Sequence, residues 1–266
     1  MNFSGFQKLT LLDYPEKTAC TLFTAGCDFR CPFCHNPALV VPDRTEAEIP
    51  QCGGEQPSHI HRWAEAEVLV FLKKRVGLLD GVCITGGEPL LHKDLVPFLA
   101  RVKSLGFSVK LDTNGNHPDY LKHLVERRLV DYVAMDIKNA PSRIAETIGI
   151  PTFNPDAVRQ SVEFLLSDAV DYEFRTTVIR ELHQKEDLLA LAKWIVGARR
   201  YFLQEFVDTG NLIQDVQAQY GGAAFPGEDS GEDKALRCFH AYSEAEMRAL
   251  CEAVRAILPT ADVRGI

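Results

Sequence analysis

The stretch that decides the fold is the cysteine loop, which reads Gly26-Cys27-Asp28-Phe29-Arg30-Cys31-Pro32-Phe33-Cys34-His35-Asn36-Pro37. Its three cysteines have the spacing C-x3-C-x2-C. Thiolates are soft ligands that select zinc, copper(I) or iron–sulfur clusters. Closed structural zinc sites and most cubane clusters have four protein ligands. A set of three therefore leaves one metal position open for a group that is not protein.

The cysteine loop follows a predicted strand at 18–24, and unusual residues also follow the next three predicted strands. They are Gly86-Gly87-Glu88-Pro89, Asp112-Thr113-Asn114-Gly115 and Asp136-Ile137-Lys138. In β/α barrels the active site lies at the carboxyl ends of the strands. The pattern therefore predicts an active site that is built from four successive strand ends.

Apolar periodicity predicts six strands that alternate with helices. The strands are expected at 18–24, 81–85, 108–111, 132–138, 172–179 and 201–206, and the helices at about 65–75, 94–104, 118–128, 155–166, 187–196 and 243–258. Such an order forms parallel βαβ units with right-handed crossovers. We therefore expect an α/β fold, a partial TIM-type (βα)6 barrel that is open at its side. Residues 1–266 would form a single domain, with a barrel core at about 18–207 and an irregular segment at 208–241.

Composition narrows the class of protein. The chain has 266 residues, a net charge of −8 and 46% hydrophobic residues, which suits one large α/β domain or two small ones. The acidic balance argues against nucleic-acid binding. No apolar run reaches membrane-spanning length, and the N-terminus lacks the features of a signal peptide. We expect a cytoplasmic protein with no membrane partner, in which clustered cysteines bind metal rather than form disulfides.

The cysteine loop resembles the cluster loop of radical S-adenosylmethionine (SAM) enzymes. More narrowly, it is similar to the activating enzymes of glycyl-radical proteins, above all those that activate anaerobic ribonucleoside-triphosphate reductase. The likeness extends from Ser4 to about Phe206. Two positions depart from the family pattern, because Asp28 stands where relatives often have Asn and Phe33 where they have Tyr. Neither is a ligand, and the aromatic residue at this place packs near the adenine in the family.

The resemblance implies that Cys27, Cys31 and Cys34 hold three irons of a [4Fe–4S] cluster, and that SAM chelates the fourth iron. Reduction would then cleave SAM to methionine and a 5′-deoxyadenosyl radical, which abstracts hydrogen from a C–H bond. The protein positions these groups and excludes water. The alternative is a Cys3His zinc site completed by His35, although His35 adjoins Cys34 and would need an awkward local geometry.

The next motif, Gly86-Gly87-Glu88-Pro89, is called the glycine loop. Paired glycines allow a close backbone approach and positive φ. The resemblance implies that this motif binds the amino group of SAM, with backbone carbonyls and the Glu88 carboxylate as acceptors. The alternative is an ordinary turn between a strand and a helix.

Asp112, Thr113, Asp136 and Lys138 complete the candidate cofactor site. Two carboxylates at neighbouring strand ends repel unless a cation or hydrogen-bond donors lie between them. They would hold the SAM ribose, bind a cation beside the SAM carboxylate, or cap local turns, as the Asn-Gly after Thr113 suggests. In the activating enzymes both regions line the SAM and cation site. Lys138 shares a face with Asp136 by strand alternation and would pair with the SAM carboxylate or with Glu88, or be solvated.

The remaining polar and sulfur residues carry smaller roles. Arg175 and Thr177 share a face of the fifth strand and are candidates for SAM or substrate contacts. The cysteines in apolar patterns are expected to be buried hydrophobes, namely Cys20, Cys83 and Cys251. Cys52 receives no ligand role. For Cys238, which lies near His240 in a glycine-rich region, a reactive thiol is the alternative to an unreactive one. The histidines beyond the cysteine loop lack ligand spacing and are expected to be solvated: His59, His61, His92, His117, His123 and His183.

The resemblance implies a function. We expect an enzyme that installs a glycyl radical on a partner, with anaerobic ribonucleotide reductase as the expected partner and a flavodoxin- or ferredoxin-like protein as electron donor. A radical SAM enzyme that acts on a small molecule, for instance in deazapurine biosynthesis, is the first alternative. A non-catalytic module that binds zinc or a cluster is the second.

Overall fold

The computed structural model of the protein describes residues 1–40, 62–208, 212–213 and 238–266. Cys52, His59 and His61 lie outside these residues, and so does most of the segment 208–241 that is predicted to be irregular. None of the described helices is both long enough and apolar enough to cross a lipid bilayer.

The described residues form ten strands and eight helices. The strands are β1 (Asn2–Phe3), β2 (Gly5–Thr10), β3 (Ala19–Thr24), β4 (Trp63–Ala64), β5 (Gly81–Gly86), β6 (Ser108–Thr113), β7 (Tyr132–Asp136), β8 (Asp171–Val178), β9 (Tyr201–Glu205) and β10 (Ala261–Arg264). The helices are α1 (Pro37–Val40), α2 (Glu65–Lys73), α3 (Leu95–Ser104), α4 (Pro118–Glu126), α5 (Ile144–Thr147), α6 (Asp156–Leu166), α7 (Lys185–Trp194) and α8 (Glu244–Arg255). All six predicted strands and all six predicted helices are present, and their ends lie within three residues of the predicted ones.

Eight of these strands form one sheet in the order β10-β9-β8-β7-β6-β5-β3-β2. Pairing is parallel from β3 through β5 and β6 to β7, and again from β8 through β9 to β10. Only β2 is antiparallel, against β3, among the pairs described for this sheet. The predicted α/β class with a mostly parallel sheet is confirmed. The predicted count of six strands is too low, because β2 and β10 add an edge strand at each side.

Burial explains why the central strands can be predicted from the sequence. Residues 82–84 of β5 and 133–135 of β7 are at most 1% exposed. A strand that is covered on both faces reads as a continuous apolar run rather than an alternation. The predicted burial of three cysteines is confirmed, since Cys20, Cys83 and Cys251 are also at most 1% exposed.

Helix ends follow local rules as well. Ser243 accepts a hydrogen bond from the Glu246 N–H, and the Glu246 carboxylate accepts from the Ser243 N–H at 2.8 Å. This capping box satisfies two amides that the first turn of α8 leaves without helical partners, and it confirms the predicted start of the helix.

The chain divides into two compact units. The first unit consists of Met1–Asp28, Ala38–Met135 and Gln160–Tyr172, and the second unit of Phe29–Pro37, Asp136–Arg159 and Glu173–Ile266. The single domain expected from the sequence stays a prediction.

Candidate active site

In the first unit, the glycine loop packs directly against the start of the cysteine loop. The Gly87 N–H donates to the Thr24 carbonyl at 2.9 Å, and the Glu88 N–H donates to the Gly26 carbonyl at 2.7 Å. A Cβ atom on Gly87 would lie 1.9 Å from the Gly26 oxygen, and one on Gly86 would lie 2.4 Å from the Thr24 nitrogen. The paired glycines therefore allow the close backbone approach that was predicted. The sequence alone does not show that the approaching backbone is that of Thr24 and Gly26.

Glu88 joins the glycine loop to the end of β6. Its side chain is 1% exposed. One carboxylate oxygen accepts from the Leu90 N–H at 3.1 Å and the Thr113 hydroxyl at 2.8 Å, and the other accepts from the Asn114 N–H at 2.8 Å. Burial raises the pKa of Glu88 to about 7, although these hydrogen bonds oppose the rise. Glu88 and Thr113 thus bond to each other, and their roles in SAM binding stay predictions.

Replacing Glu88 tests whether it bridges loops or binds an ammonium group. Glu88→Gln keeps the side-chain volume and one acceptor oxygen, and it leaves one buried backbone N–H without its acceptor. We therefore expect a modest loss of stability and a SAM affinity within a few-fold of the wild type. Glu88→Ala strands three buried donors and is expected to cost about 3 kcal/mol or more of unfolding free energy, because each unsatisfied donor costs about 1–3 kcal/mol. Denaturant unfolding and SAM titration of both variants provide the measurements. A large loss of SAM affinity in Glu88→Gln with only a modest loss of stability would instead support direct contact with the ammonium.

The sign of the Glu88 pH dependence follows from its raised pKa. Because the unfolded carboxyl has a pKa near 4.3, the folded state binds more protons than the unfolded state between that value and about 7. Glu88 therefore contributes its stability fully below the unfolded pKa and loses it as the pH rises to about 7. Glu88→Gln should remove this part of the dependence, since the amide resembles the protonated acid and does not titrate.

The end of β6 holds a buried ion pair and a tight turn. Lys110 is 2% exposed and donates from Nζ to Asp112 Oδ1. The turn amides find other acceptors, because the Gly115 N–H donates to Thr113 Oγ1 at 3.1 Å and the Asn116 N–H donates to Asn114 Oδ1 at 2.9 Å. Asp112 thus has a basic partner within the protein, and its predicted contact with the SAM ribose or a cation is not tested by this pairing.

Asp28, in the cysteine loop, is surrounded by donors from the segment that follows β6. It accepts from Asn114 Nδ2 at 2.7 Å and Asn116 Nδ2 at 2.7 Å, and it lies 3.0 Å from His117 Nε2. Burial alone would raise the pKa of Asp28, but the three partners outweigh it and lower the pKa. The bond to Asp28 raises the pKa of His117. His117 therefore has a carboxylate partner and is not the solvated histidine that was predicted.

In the second unit, Asp136 lies between two basic side chains. Arg175 Nε donates to one oxygen at 2.9 Å, and Lys138 Nζ donates to the other at 3.3 Å. Burial favours the neutral acid, but the charges of Arg175 and Lys138 outweigh it and hold the pKa of Asp136 at about 2. The prediction that Lys138 and Asp136 share a face is confirmed. Two protein cations already neutralise Asp136, so a metal cation at this residue stays a prediction without support from these contacts.

A further buried carboxylate, Glu173, joins β8 to β10 through an ion pair. Glu173 is 1% exposed and accepts two hydrogen bonds from the Arg264 guanidinium at 2.8 and 3.0 Å. Arg175 lies 4.0 Å from the same carboxylate, and the Arg264 guanidinium lies 3.8 Å from the centre of the Phe202 ring. Arg264 thus binds the carboxylate that lies beside Arg175. It was not identified from the sequence, because β10 was not predicted. Strand alternation shows that Glu173 shares a face with Arg175, but nothing local pairs it with Arg264.

The second half of the cysteine loop packs on aromatic rings. Phe33 is 5% exposed and meets Phe239 edge-on at 6.2 Å between ring centres. The His35 ring stacks on Phe206 at 5.4 Å, and its Nε2 is buried with no hydrogen-bond partner among the described residues. The Cys34 carbonyl accepts from the Ile213 N–H at 3.2 Å. Residues far along the chain thus hold Phe33, whose role at the adenine stays a prediction.

The thiols in the second unit are largely buried. Burial raises the pKa of Cys31 to about 12 and also raises the pKa of Cys34, although the charge of Lys138 opposes both shifts. Metal ligation requires the thiolate form, so metal binding at these residues releases protons. No group of three or more His, Cys, Asp or Glu side chains is assembled for a metal ion in the part of the chain that the structure describes. The ligand set Cys27, Cys31 and Cys34 therefore stays a prediction.

His183 is a second histidine that is not solvated as predicted. It is 0% exposed, its Nδ1 accepts from the Ile179 N–H at 3.1 Å, and its Nε2 lies 2.7 Å from the Lys138 carbonyl. These partners fix one neutral tautomer, in which Nε2 carries the proton. His92 also has a partner, because its Nε2 lies 2.8 Å from the Ala25 carbonyl. Backbone carbonyls far along the sequence bind both rings, and a single sequence gives no sign of them.

His183 makes stability depend on pH. Burial lowers its pKa below that of an unfolded histidine, near 6.5, so the unfolded state binds more protons between the two values. The contribution of His183 is complete above about pH 6.5 and is lost as the pH falls below it. His183→Asn should lose about 1–2 kcal/mol at neutral pH and flatten this slope. Chemical denaturation from pH 5 to pH 8 measures both effects, with the exposed His123→Asn as the control that keeps the wild-type slope.

Comparison with known proteins defines the class. The description "Radical SAM superfamily" belongs to a family profile that matches residues 21–209. A Methanocaldococcus jannaschii protein named as a glycyl-radical enzyme activating enzyme is 30% identical over 207 residues, which are 76% of this chain and 79% of that protein. A 7-carboxy-7-deazaguanine synthase of Koribacter versatilis is 30% identical over 157 residues, 59% of each chain. A solved domain of the pyruvate-formate lyase-activating enzyme of Bacteroides vulgatus has a TM-score of 0.51 at 14% identity, over 70% of this chain and 99% of that domain.

These findings identify the class of enzyme, which is one of iron–sulfur enzymes that depend on SAM. The chain belongs to the radical SAM superfamily, and its predicted fold as a partial barrel of that family is confirmed. The family implies a [4Fe–4S] cluster and SAM. The residues present fit these groups, since the three thiols of the cysteine loop are of the ligand type that such a cluster takes, and the buried Nε2 of His35 leaves a polar atom for a further partner. The zinc module is set aside because the family is one of radical enzymes.

Proposed function

We propose that this radical SAM enzyme activates a glycyl-radical enzyme, and that its partner is the anaerobic ribonucleoside-triphosphate reductase. The observation that carries the proposal is the likeness to an activating enzyme across about three quarters of both chains. The cysteine loop, with its C-x3-C-x2-C-H-N-P sequence, supports the same assignment. We place the protein in the cytoplasm, with no nucleic-acid partner.

The proposed cofactors define the chemistry that the protein serves. When bound, the cluster and SAM supply one-electron cleavage of the sulfonium and a 5′-deoxyadenosyl radical. Hydrogen transfer from one glycine Cα of the partner would then give 5′-deoxyadenosine and a glycyl radical, and methionine would leave. The electron comes from a flavodoxin- or ferredoxin-like donor. Within the protein, Cys27, Cys31 and Cys34 hold the cluster, the glycine loop receives the SAM amino group, Phe33 packs near the adenine, and Asp112, Thr113, Asp136 and Lys138 line the remainder of SAM.

The experiment that tests this function is a radical transfer. The reconstituted enzyme, SAM and a reductant are mixed anaerobically with anaerobic ribonucleotide reductase, and electron paramagnetic resonance is recorded. We expect a glycyl radical signal that is absent when the radical glycine of the reductase is replaced by alanine. A signal on pyruvate formate-lyase alone would retain the activating role and change the partner. Formation of 5′-deoxyadenosine with no protein radical on either would overturn the proposal.

A second candidate function is favoured by one observation, the likeness to a 7-carboxy-7-deazaguanine synthase over 59% of each chain. The same residues would then serve a small substrate. Expression in cells that lack this synthase tests the assignment. Restored formation of 7-carboxy-7-deazaguanine would support this function. If no 7-carboxy-7-deazaguanine forms and a glycyl radical appears on the reductase, this function is excluded.

A further inference from the structure

Hydrogen bonds at both ends fix the orientation of the Asn114 side-chain amide. Its Oδ1 accepts from the Asn116 N–H at 2.9 Å, which turns the opposite end of the amide toward the cysteine loop. There Nδ2 lies 2.7 Å from Asp28 Oδ1 and 4.0 Å from Cys27 Sγ. Asn114 is 7% exposed, and its backbone N–H donates to the Glu88 carboxylate. The amide is therefore held in one orientation, with a donor aimed at a sulfur atom.

Asp28 holds that orientation because each of its two carboxylate oxygens accepts from different side chains of the segment after β6. Asn116 and His117 bind Oδ2, and Oδ1 is the acceptor for Asn114. An asparagine at this position would have one acceptor oxygen and could not serve all three donors in the same way. Asp28 is thus the residue that fixes the amide beside Cys27.

We propose that Asn114 donates an N–H···S hydrogen bond to the Cys27 thiolate of the cluster-loaded enzyme, and that Asp28 is the positioning residue that aims it. The inference rests on the proposed function insofar as Cys27 is a cluster ligand. A thiolate is a stronger acceptor than a thiol, because its charge shortens and strengthens the bond. Hydrogen bonds to cluster sulfurs are among the factors that set the reduction potential. The positive end of the N–H dipole stabilises the electron that the cluster receives, so this bond raises the potential.

Two matched variants test the bond. Asn114→Ser keeps an oxygen that can accept from the Asn116 N–H in the turn, but it removes the donor beside the sulfur. Asn116→Ser also removes one donor to Asp28, but it leaves Asn114 in place. The midpoint potential of the cluster is measured without SAM by anaerobic redox titration, read by electron paramagnetic resonance. We expect a shift to a more negative potential in Asn114→Ser, and the wild-type potential in Asn116→Ser.

The remaining outcomes are also decisive. Equal shifts in both variants, or no shift in Asn114→Ser, would overturn the inference. If Asn114→Ser does not fold, Asp28→Glu provides the test, because it keeps the negative charge but displaces the carboxylate oxygen that holds the amide. It should also lower the potential, and an unchanged potential there would overturn the inference as well. Failure of the wild-type protein to assemble any cluster would count against the proposed function instead. A wild-type cluster whose potential is insensitive to Asn114 would count against this inference alone.

Discussion

Replacing Cys31 with alanine is expected to abolish cluster assembly and to reduce 5′-deoxyadenosine formation to background. The thiol is buried, and the cysteine loop offers only three sulfur ligands, so the loss of one leaves two irons of four with protein thiolates. The fold itself should survive, because a buried Cys→Ala change falls in the ordinary range of about 1 kcal/mol for a point substitution. Iron and sulfide content, together with 5′-deoxyadenosine measured after anaerobic reduction with SAM, gives the result.

The control for Cys31→Ala is Cys238→Ala, which removes an exposed thiol from the same protein. We expect wild-type cluster content and wild-type 5′-deoxyadenosine in this variant. If Cys31→Ala retained a full cluster and SAM cleavage, the assignment of the three ligands would be wrong. Tight stoichiometric zinc with no cluster in the wild type would revive the zinc site.

Replacing Gly87 with alanine is expected to cost about 3 kcal/mol or more in the free energy of unfolding, as severe overpacking does. The added Cβ would lie 1.9 Å from the Gly26 oxygen, and backbone on both sides must move to relieve it. That movement displaces the residue before Cys27, so cluster content should fall as well. Denaturant unfolding of the apo-protein and iron analysis after reconstitution are the measurements.

Gly106→Ala is the matched control for Gly87→Ala. A Cβ there would have no atom within 4 Å, and the positive φ of 91° leaves only backbone strain, about 1–2 kcal/mol. Equal destabilisation by the two substitutions would contradict the packing argument. Because Gly87 supports the cysteine loop, lost SAM binding in its variant is not by itself evidence of a contact between Gly87 and SAM.

The parts of the fold that the sequence predicts are those whose apolar pattern is continuous. The core strands β5 and β7 are buried on both faces, which leaves unbroken apolar runs at 82–84 and 132–135. The missed strands lack this pattern. β2 is half exposed and contains Gln7 and Lys8, and β10 has four residues of which two are charged. Both edge strands depend on pairing with a neighbour, which their own residues do not reveal.

The site follows a similar division. Motifs such as the cysteine loop and the glycine loop are legible because unusual residues mark the ends of apolar strands. The side chains that hold them are not, because their partners are distant in sequence. Asp28 and His117 are separated by 89 residues, and Glu173 and Arg264 by 91. His183 lies in a polar stretch after β8, and only tertiary packing reveals its burial.

The close backbone contact between Gly26 and Gly87 limits how this enzyme can be re-engineered. A cysteine loop transplanted from a relative would meet the same bare backbone at Gly86 and Gly87, so the receiving chain must keep both glycines or exchange the two loops together. Asp28 imposes a further condition, because its donors reside on a separate segment at Asn116 and His117. Chimeras should therefore exchange these three segments as one module, and single-loop swaps should yield poorly folded protein.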